Sequence, residues 1–68
     1  MTDQEFLRRL RRYARKRGLQ IEYRPDHGKG SHAEVWLGDR KTTLPRGEMK
    51  PGTFRSILRD LGIDKQEF

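Results

Sequence analysis

Residues 32–45 read HAEVWLGDRKTTLP. Ala33, Val35 and Leu37 are apolar and alternate with His32, Glu34 and Trp36. A period of two is the signature of a strand with one dry face and one wet face. Gly38-Asp39 then supplies the residues of a tight hairpin turn. Arg40 to Leu44, with β-branched Thr42 and Thr43, reads as the returning strand, and Pro45 is expected to stop it because proline has no N–H for a ladder. An antiparallel hairpin with one dry face needs a cover, so the flanking segments decide the rest of the fold.

Upstream, Leu19, Ile21 and Tyr23 alternate with Gln20, Glu22 and Arg24, which reads as a first strand. Before it, Thr2 and Glu5 form an S/T-x-x-E capping box, and Met1 and Phe6 stand where a hydrophobic staple would place them. Phe6, Leu7, Leu10, Tyr13 and Ala14 recur at helical spacing, giving a helix over 3–17. Gly18 is expected to close it in a left-handed conformation, with Leu19 folding back on the last turn. Downstream, 46–49 reads as loop. Lys50-Pro51-Gly52-Thr53 opens a second helix, with proline tolerated in the first turn. Phe54, Ile57, Leu58 and Leu61 form its stripe, Gly62 closes it, and Ile63 can pack back on Leu58. Residues 64–68 read as a frayed tail.

The resulting order is α-β-β-β-α: an α+β domain over 1–63, followed by a short tail over 64–68. Three antiparallel strands joined by short connections, with both helices on one face, bury both apolar stripes. Ala33, Val35 and Leu37 then face the helices, and His32, Glu34 and Trp36 lie on the open face.

The chain has 68 residues, 31% hydrophobic and 38% charged, with no cysteine. A chain of this size buries only about 60% of its unfolded surface, so one thin core is expected. A disulfide framework and a thiolate zinc site are excluded. Apolar runs are too short to span a membrane, and no apolar signal-peptide core stands at the start, so a small cytoplasmic protein is expected. The net charge of +6 is concentrated in Arg8, Arg9, Arg11, Arg12, Arg15, Lys16 and Arg17. Such a density can be a solvated helix face, but its self-repulsion favours a polyanion or an acidic partner.

Between the first two strands lies Gly28-Lys29-Gly30-Ser31. Glycines let backbone approach a ligand, their N–H groups can line an anion nest, and Lys29 adds a cation. The spacing is not that of a Walker loop, and an ordinary turn has the same composition. His32 follows at once, on the face expected to be wet. Histidine moves protons near neutral pH, so in RNA cleavage it can take the 2′-hydroxyl proton or protonate the leaving 5′-oxygen. His27 is a second candidate, although a loop histidine is more often a surface residue. No third ligand accompanies His27 and His32, so no metal site and no cofactor are expected. Glu34 can orient the imidazole, but a cross-strand pair with a cation of the third strand is the preferred reading. Trp36 can stack a base, cover the open face or serve a protein interface.

"GKGSH", then "VWLGDRKTTLP" and "EMKPGTFRSILRDLGI", closely resemble the HicA toxin family of bacterial toxin–antitoxin modules. The resemblance runs from the first helix to Ile63. Gly-Ser-His before a strand, paired with Lys-Pro-Gly-Thr opening a helix that ends in Leu-Gly-Ile, carries it. It implies a double-stranded-RNA-binding-domain-like fold and an endoribonuclease that cuts mRNA and halts translation. It also implies a neutralising HicB-family antitoxin, acidic and encoded alongside, with the toxin monomeric when free and hetero-oligomeric with its antitoxin. The family's catalytic histidine falls on His32 and its motif glycine on Gly30. Many members carry a second histidine where this chain has Ala33, and another in the stretch that here reads Arg46-Gly47-Glu48. A second proton-transfer group must then be found, and Lys29, Lys41 or water can serve.

The expected function is therefore a metal-independent mRNA interferase. His32 is the proton carrier, and Gly28, Lys29, Gly30, Ser31, Trp36, Lys41, Arg8, Arg12 and Arg15 hold RNA. The alternatives are a non-catalytic double-stranded-RNA-binding module, or a basic adaptor for an acidic protein.

Overall fold

The computed structural model describes every residue except 27–29 and 31. Among the described residues the chain forms α1 (Asp3–Arg17), β1 (Ile21–Arg24), β2 (His32–Leu37), β3 (Arg40–Pro45), α2 (Pro51–Leu61) and a final 3-10 turn, Lys65–Glu67. The strands pair antiparallel in the order β1-β2-β3. This is the α+β architecture expected from the alternation in 32–45.

The capping box starts α1. The Glu5 N–H donates to the Thr2 hydroxyl at 3.2 Å, and the Thr2 N–H donates to Glu5 Oε1 at 3.4 Å. Met1 packs against the core, as a staple residue should. Gly18 closes the helix at φ 66°, a conformation that costs a side-chain-bearing residue steric strain.

The core lies between the two helices and one face of the sheet. Phe6, Leu7, Leu10 and Ala14 from α1 meet Val35, Leu37 and Leu44 from the sheet and Ile57, Leu58 and Leu61 from α2. Phe6, Leu10 and Val35 are 0% exposed. Burial of such side chains contributes about 1.5–3 kcal/mol each, the main favourable term for a domain this small. Thr42 also faces the helices, and its hydroxyl donates to Asp60 Oδ2 of α2 at 2.9 Å.

Three details differ from the expectation, and the expected loop over 46–49 gains partners. The first strand begins at Ile21 rather than Leu19, and Leu19 is 41% exposed. Its N–H is used to close α1, donating to the Ala14 carbonyl at 2.9 Å, so it is not available to a strand ladder. The third strand includes Pro45, which sits opposite His32 at the end of an edge strand, where its missing N–H leaves no neighbour unpaired.

The loop over 46–49 is tied to the start of α1. The Asp3 N–H donates to the Gly47 carbonyl at 2.9 Å, the Gly47 N–H donates to Asp3 Oδ1 at 3.1 Å, and Met49 is buried. The tail is not frayed at its end. Asp64 caps the 3-10 turn, and the half-buried Phe68 ring lies 5.2 Å from Phe6, 5.9 Å from Phe54 and 6.1 Å from Tyr13, centroid to centroid. An aromatic ring offered an apolar patch of Phe6 and Tyr13 from α1 and Phe54 from α2 outweighs the polar run that precedes it.

Candidate active site and nucleic-acid interface

Strand alternation sets the open face. Ala33, Val35 and Leu37 are buried against the helices, while His32 is exposed and Glu34 and Trp36 are half-buried on the other side. The register brings Glu22 and Lys41 beside Trp36, and Arg24 and Thr43 beside Glu34. His32 is the first residue of β2 and stands opposite Pro45.

Glu34 is the hub of this face. Its Oε1 accepts a hydrogen bond from Trp36 Nε1 at 2.7 Å. Arg24 Nη1 lies 3.8 Å from Oε1, and Lys41 Nζ lies 3.9 Å from Oε2. The expected cross-strand pair with a cation of the third strand is therefore present, and Arg24 from the first strand joins it. The Lys41 ammonium also lies 5.5 Å from the centre of the Trp36 ring. Trp36 is thus anchored by its N–H and its ring at once. A hydrogen bond with Glu22, aided by the charges of Glu22 and Glu34, raises the Arg24 pKa above its ordinary value against the cost of desolvation.

Of the glycine loop, Gly30 is described. It has φ 62°, is exposed, and has open space where a Cβ would point, so its glycine requirement is one of backbone conformation and not of room. Gly28, Lys29 and Ser31, read from the sequence as anion-binding residues, and His27 lie outside the described residues. No group of three or more His, Cys, Asp and Glu side chains gathers as a metal site among the described residues.

Arg46 is a residue that the sequence alone did not single out. It follows Pro45, the partner of His32, and its Nη2 donates to the Pro25 carbonyl at 2.8 Å. Its guanidinium thus links the end of the third strand to the start of the loop that leads to His32. Only the fold brings it to the Pro25 carbonyl.

The arginines fall elsewhere. Arg8, Arg12 and Arg15 are all exposed and surround one hollow together with Gln4, Leu7 and Arg11. The helix that carries them covers the face of the sheet opposite to His32. The structure therefore brings these three arginines together, but not onto the face of His32, Trp36 and Lys41.

The family model described as "HicA toxin of bacterial toxin-antitoxin" matches residues 8–63, which include the whole sheet, most of α1 and all of α2. The chain belongs to the HicA toxin family. No curated protein and no solved structure matches it. Membership assigns the toxin role in a toxin–antitoxin module and implies an antitoxin as partner. No helix among the described residues is long and apolar enough to cross a membrane.

Proposed function

We propose that this HicA-family toxin is an endoribonuclease that cuts mRNA, with His32 as the group that moves the proton. The observation that carries this reading is the position of His32. It is exposed, yet held at the start of a paired strand, two residues after Gly30 with its left-handed backbone. Proton transfer needs a fixed donor–acceptor geometry, and a strand supplies that better than a loop.

In the proposed step the imidazole takes the 2′-hydroxyl proton. The 2′-oxygen bonds to phosphorus, and the bond from phosphorus to the 5′-oxygen breaks. The leaving oxygen takes a proton from a second group, for which Lys29, Lys41 or water are the candidates. The products are a 2′,3′-cyclic phosphate and a 5′-hydroxyl. The nucleophile belongs to the substrate, so the step does not require a metal. The backbone N–H groups of Gly28, Gly30 and Ser31 hold the scissile phosphate, and Arg46 offsets its developing charge. Trp36 gives a neighbouring base a surface to stack on. Arg8, Arg12 and Arg15 attract the RNA backbone at longer range. The HicB-family antitoxin neutralises the toxin by covering the open face, within a cytoplasmic module.

The test is cleavage of single-stranded RNA with EDTA present, by wild type and His32→Ala, with the product ends mapped. Cyclic phosphate ends from wild type and none from the variant are the expected outcome. RNA binding without cleavage by wild type would hand the function to a non-catalytic RNA-binding module.

A further inference from the structure

The end of α1 and the final 3-10 turn enclose a hollow of about 400 Å³. Arg9, Arg12, Lys16 and Arg17 supply its cations, and Tyr13 and Phe68 its rings. Glu67 is its one acidic side chain. The Arg9 guanidinium lies over the Phe68 ring at 4.6 Å, and that of Arg17 lies over the Tyr13 ring at 4.7 Å. Arg17 is ion-paired with Glu67. Among the described residues, Arg9, Arg12 and Lys16 have no acidic partner within ion-pair distance. Glu67 and Phe68 lie outside the span matched by the family model.

We infer that this hollow is a second RNA site, on the side of the molecule away from His32, that takes a phosphate together with an adjacent unpaired base. The inference rests on the reading of RNA as substrate and adds where else the strand is held. Three features favour this ligand. Arginines held over rings have lost rotamer freedom before binding, and guanidinium N–H groups match a phosphate's oxygens. The same arginine and aromatic groups offer a surface to a base, a contact that single-stranded RNA makes on arginine and aromatic planes. Cations on successive turns of α1 lie within a Debye length of each other and repel, and a polyanion relieves that repulsion.

Glu67 sets the occupancy. Its carboxylate holds Arg17 in the position a phosphate oxygen would take. Both partners of this ion pair are about half exposed, at 44% and 51%, and ion pairs of that kind are weak enough for an incoming phosphate to displace. The acidic side chain therefore competes with the ligand without closing the site.

The test is amide NMR of the full chain carrying His32→Ala, so that the probe, a short single-stranded oligouridine, stays intact. Binding should shift amides in two groups: Arg9–Arg17 with Lys65–Phe68, and His32–Trp36. In the same background, Arg12→Gln with Lys16→Gln should reduce the log–log salt slope of binding by about 1.4, at about 0.7 for each lost phosphate contact on a single strand. Glu67→Gln should tighten binding.

Shifts confined to His32–Trp36, with an unchanged slope, would overturn the second site and leave the RNA reading standing. No shift on either face would overturn both. Poly-glutamate shifting the α1 amides at concentrations where oligouridine does not would assign the hollow to an acidic protein and overturn the RNA site. The side chains replaced are exposed, and the amide spectrum itself reports whether each variant is folded.

Discussion

The open face of the sheet and the outer face of α1 are both rich in charge, but they use it in opposite ways. On the sheet, cations meet an anion. Glu34 stands between Arg24, Lys41 and the Trp36 N–H, and Glu22 pairs with Arg24. Along α1 from Arg8 to Arg17 there is no acidic residue, and among the described residues Arg17 alone is paired. The first arrangement fixes geometry at a small net charge. The second leaves geometry loose along most of its length and concentrates charge. Chemistry needs the first, and long-range attraction needs the second. The comparison predicts that changes on the sheet alter rate, whereas changes on the helix alter affinity and its dependence on salt.

The sharpest way to break the comparison is His32→Ala. Cleavage should fall by roughly 10²–10⁴, the usual worth of a general acid–base group. Unfolding temperature should barely move, because the side chain is exposed. RNA affinity should also hold, since cationic phosphate contacts dominate it. Cleavage, binding and thermal unfolding on one preparation check all three. Cleavage at the wild-type rate in a folded variant would remove chemistry from the open face.

Phe68→Ala comes next and tests what holds the chain's last residues to the α1 face. The ring is half-buried against Phe6, Tyr13 and Phe54 and carries Arg9 above it. Its loss should cost about 2 kcal/mol, less than the roughly 3–5 kcal/mol typical of a fully buried phenylalanine. Urea unfolding measures it. An unchanged midpoint would mean that residues 64–68 contribute nothing to the fold.

That prediction could not have been made from the sequence. The hairpin over 32–45 was legible because alternation is local: one dry face and one wet face repeat every second residue. The capping box and both closing glycines were legible for the same reason. Phe68 was not, because one aromatic after a polar run has no period, and its partners are far away in the chain. The pairing of Asp3 with Gly47 depends likewise on a loop meeting the first turn of α1. Leu19 misled because apolar character suggested a strand, while the backbone used its N–H to close the helix. At the candidate site, His32 and its exposed face were legible, as was the glycine at position 30. The contact of Arg46 with Pro25 was not, since it joins segments 21 residues apart in the chain. The grouping of Arg8, Arg12 and Arg15 was legible as a charge run. That the run lies across the sheet from His32 depends on which face the helices cover.

A smaller effect is expected from replacing Arg8, Arg12 and Arg15 together by glutamine. The log–log salt slope of RNA binding should drop by about 2, at about 0.7 per contact. Stability should rise slightly, since like charges at i, i+4 such as Arg8 and Arg12 oppose the helix by about 0.2–0.5 kcal/mol per pair. Fluorescence anisotropy of labelled RNA across a salt series reads the first, and thermal unfolding the second. An unchanged slope would give this face to the antitoxin.

The smallest expected effect is the most specific to the open face. Glu34→Gln keeps the shape of the side chain and an oxygen that can accept the Trp36 N–H. It removes the charge shared by Arg24 and Lys41. Those two contacts, at 3.8 and 3.9 Å, are long for ion pairs, and the two cations are 40% and 59% exposed. Their loss should therefore cost at most about 1 kcal/mol. The indole should respond more than the fold does. With the carboxylate gone, Lys41 is released from Glu34 and the electrostatic environment of Trp36 changes, so the tryptophan emission should shift while the unfolding midpoint scarcely moves. RNA affinity should rise modestly, because one anion has left the face proposed to meet phosphates. If Glu34→Gln instead unfolds the protein, Glu34 is a structural anchor of the sheet. The contrast between a fixed chemical face and a loose attracting helix would then have been drawn at the wrong residue.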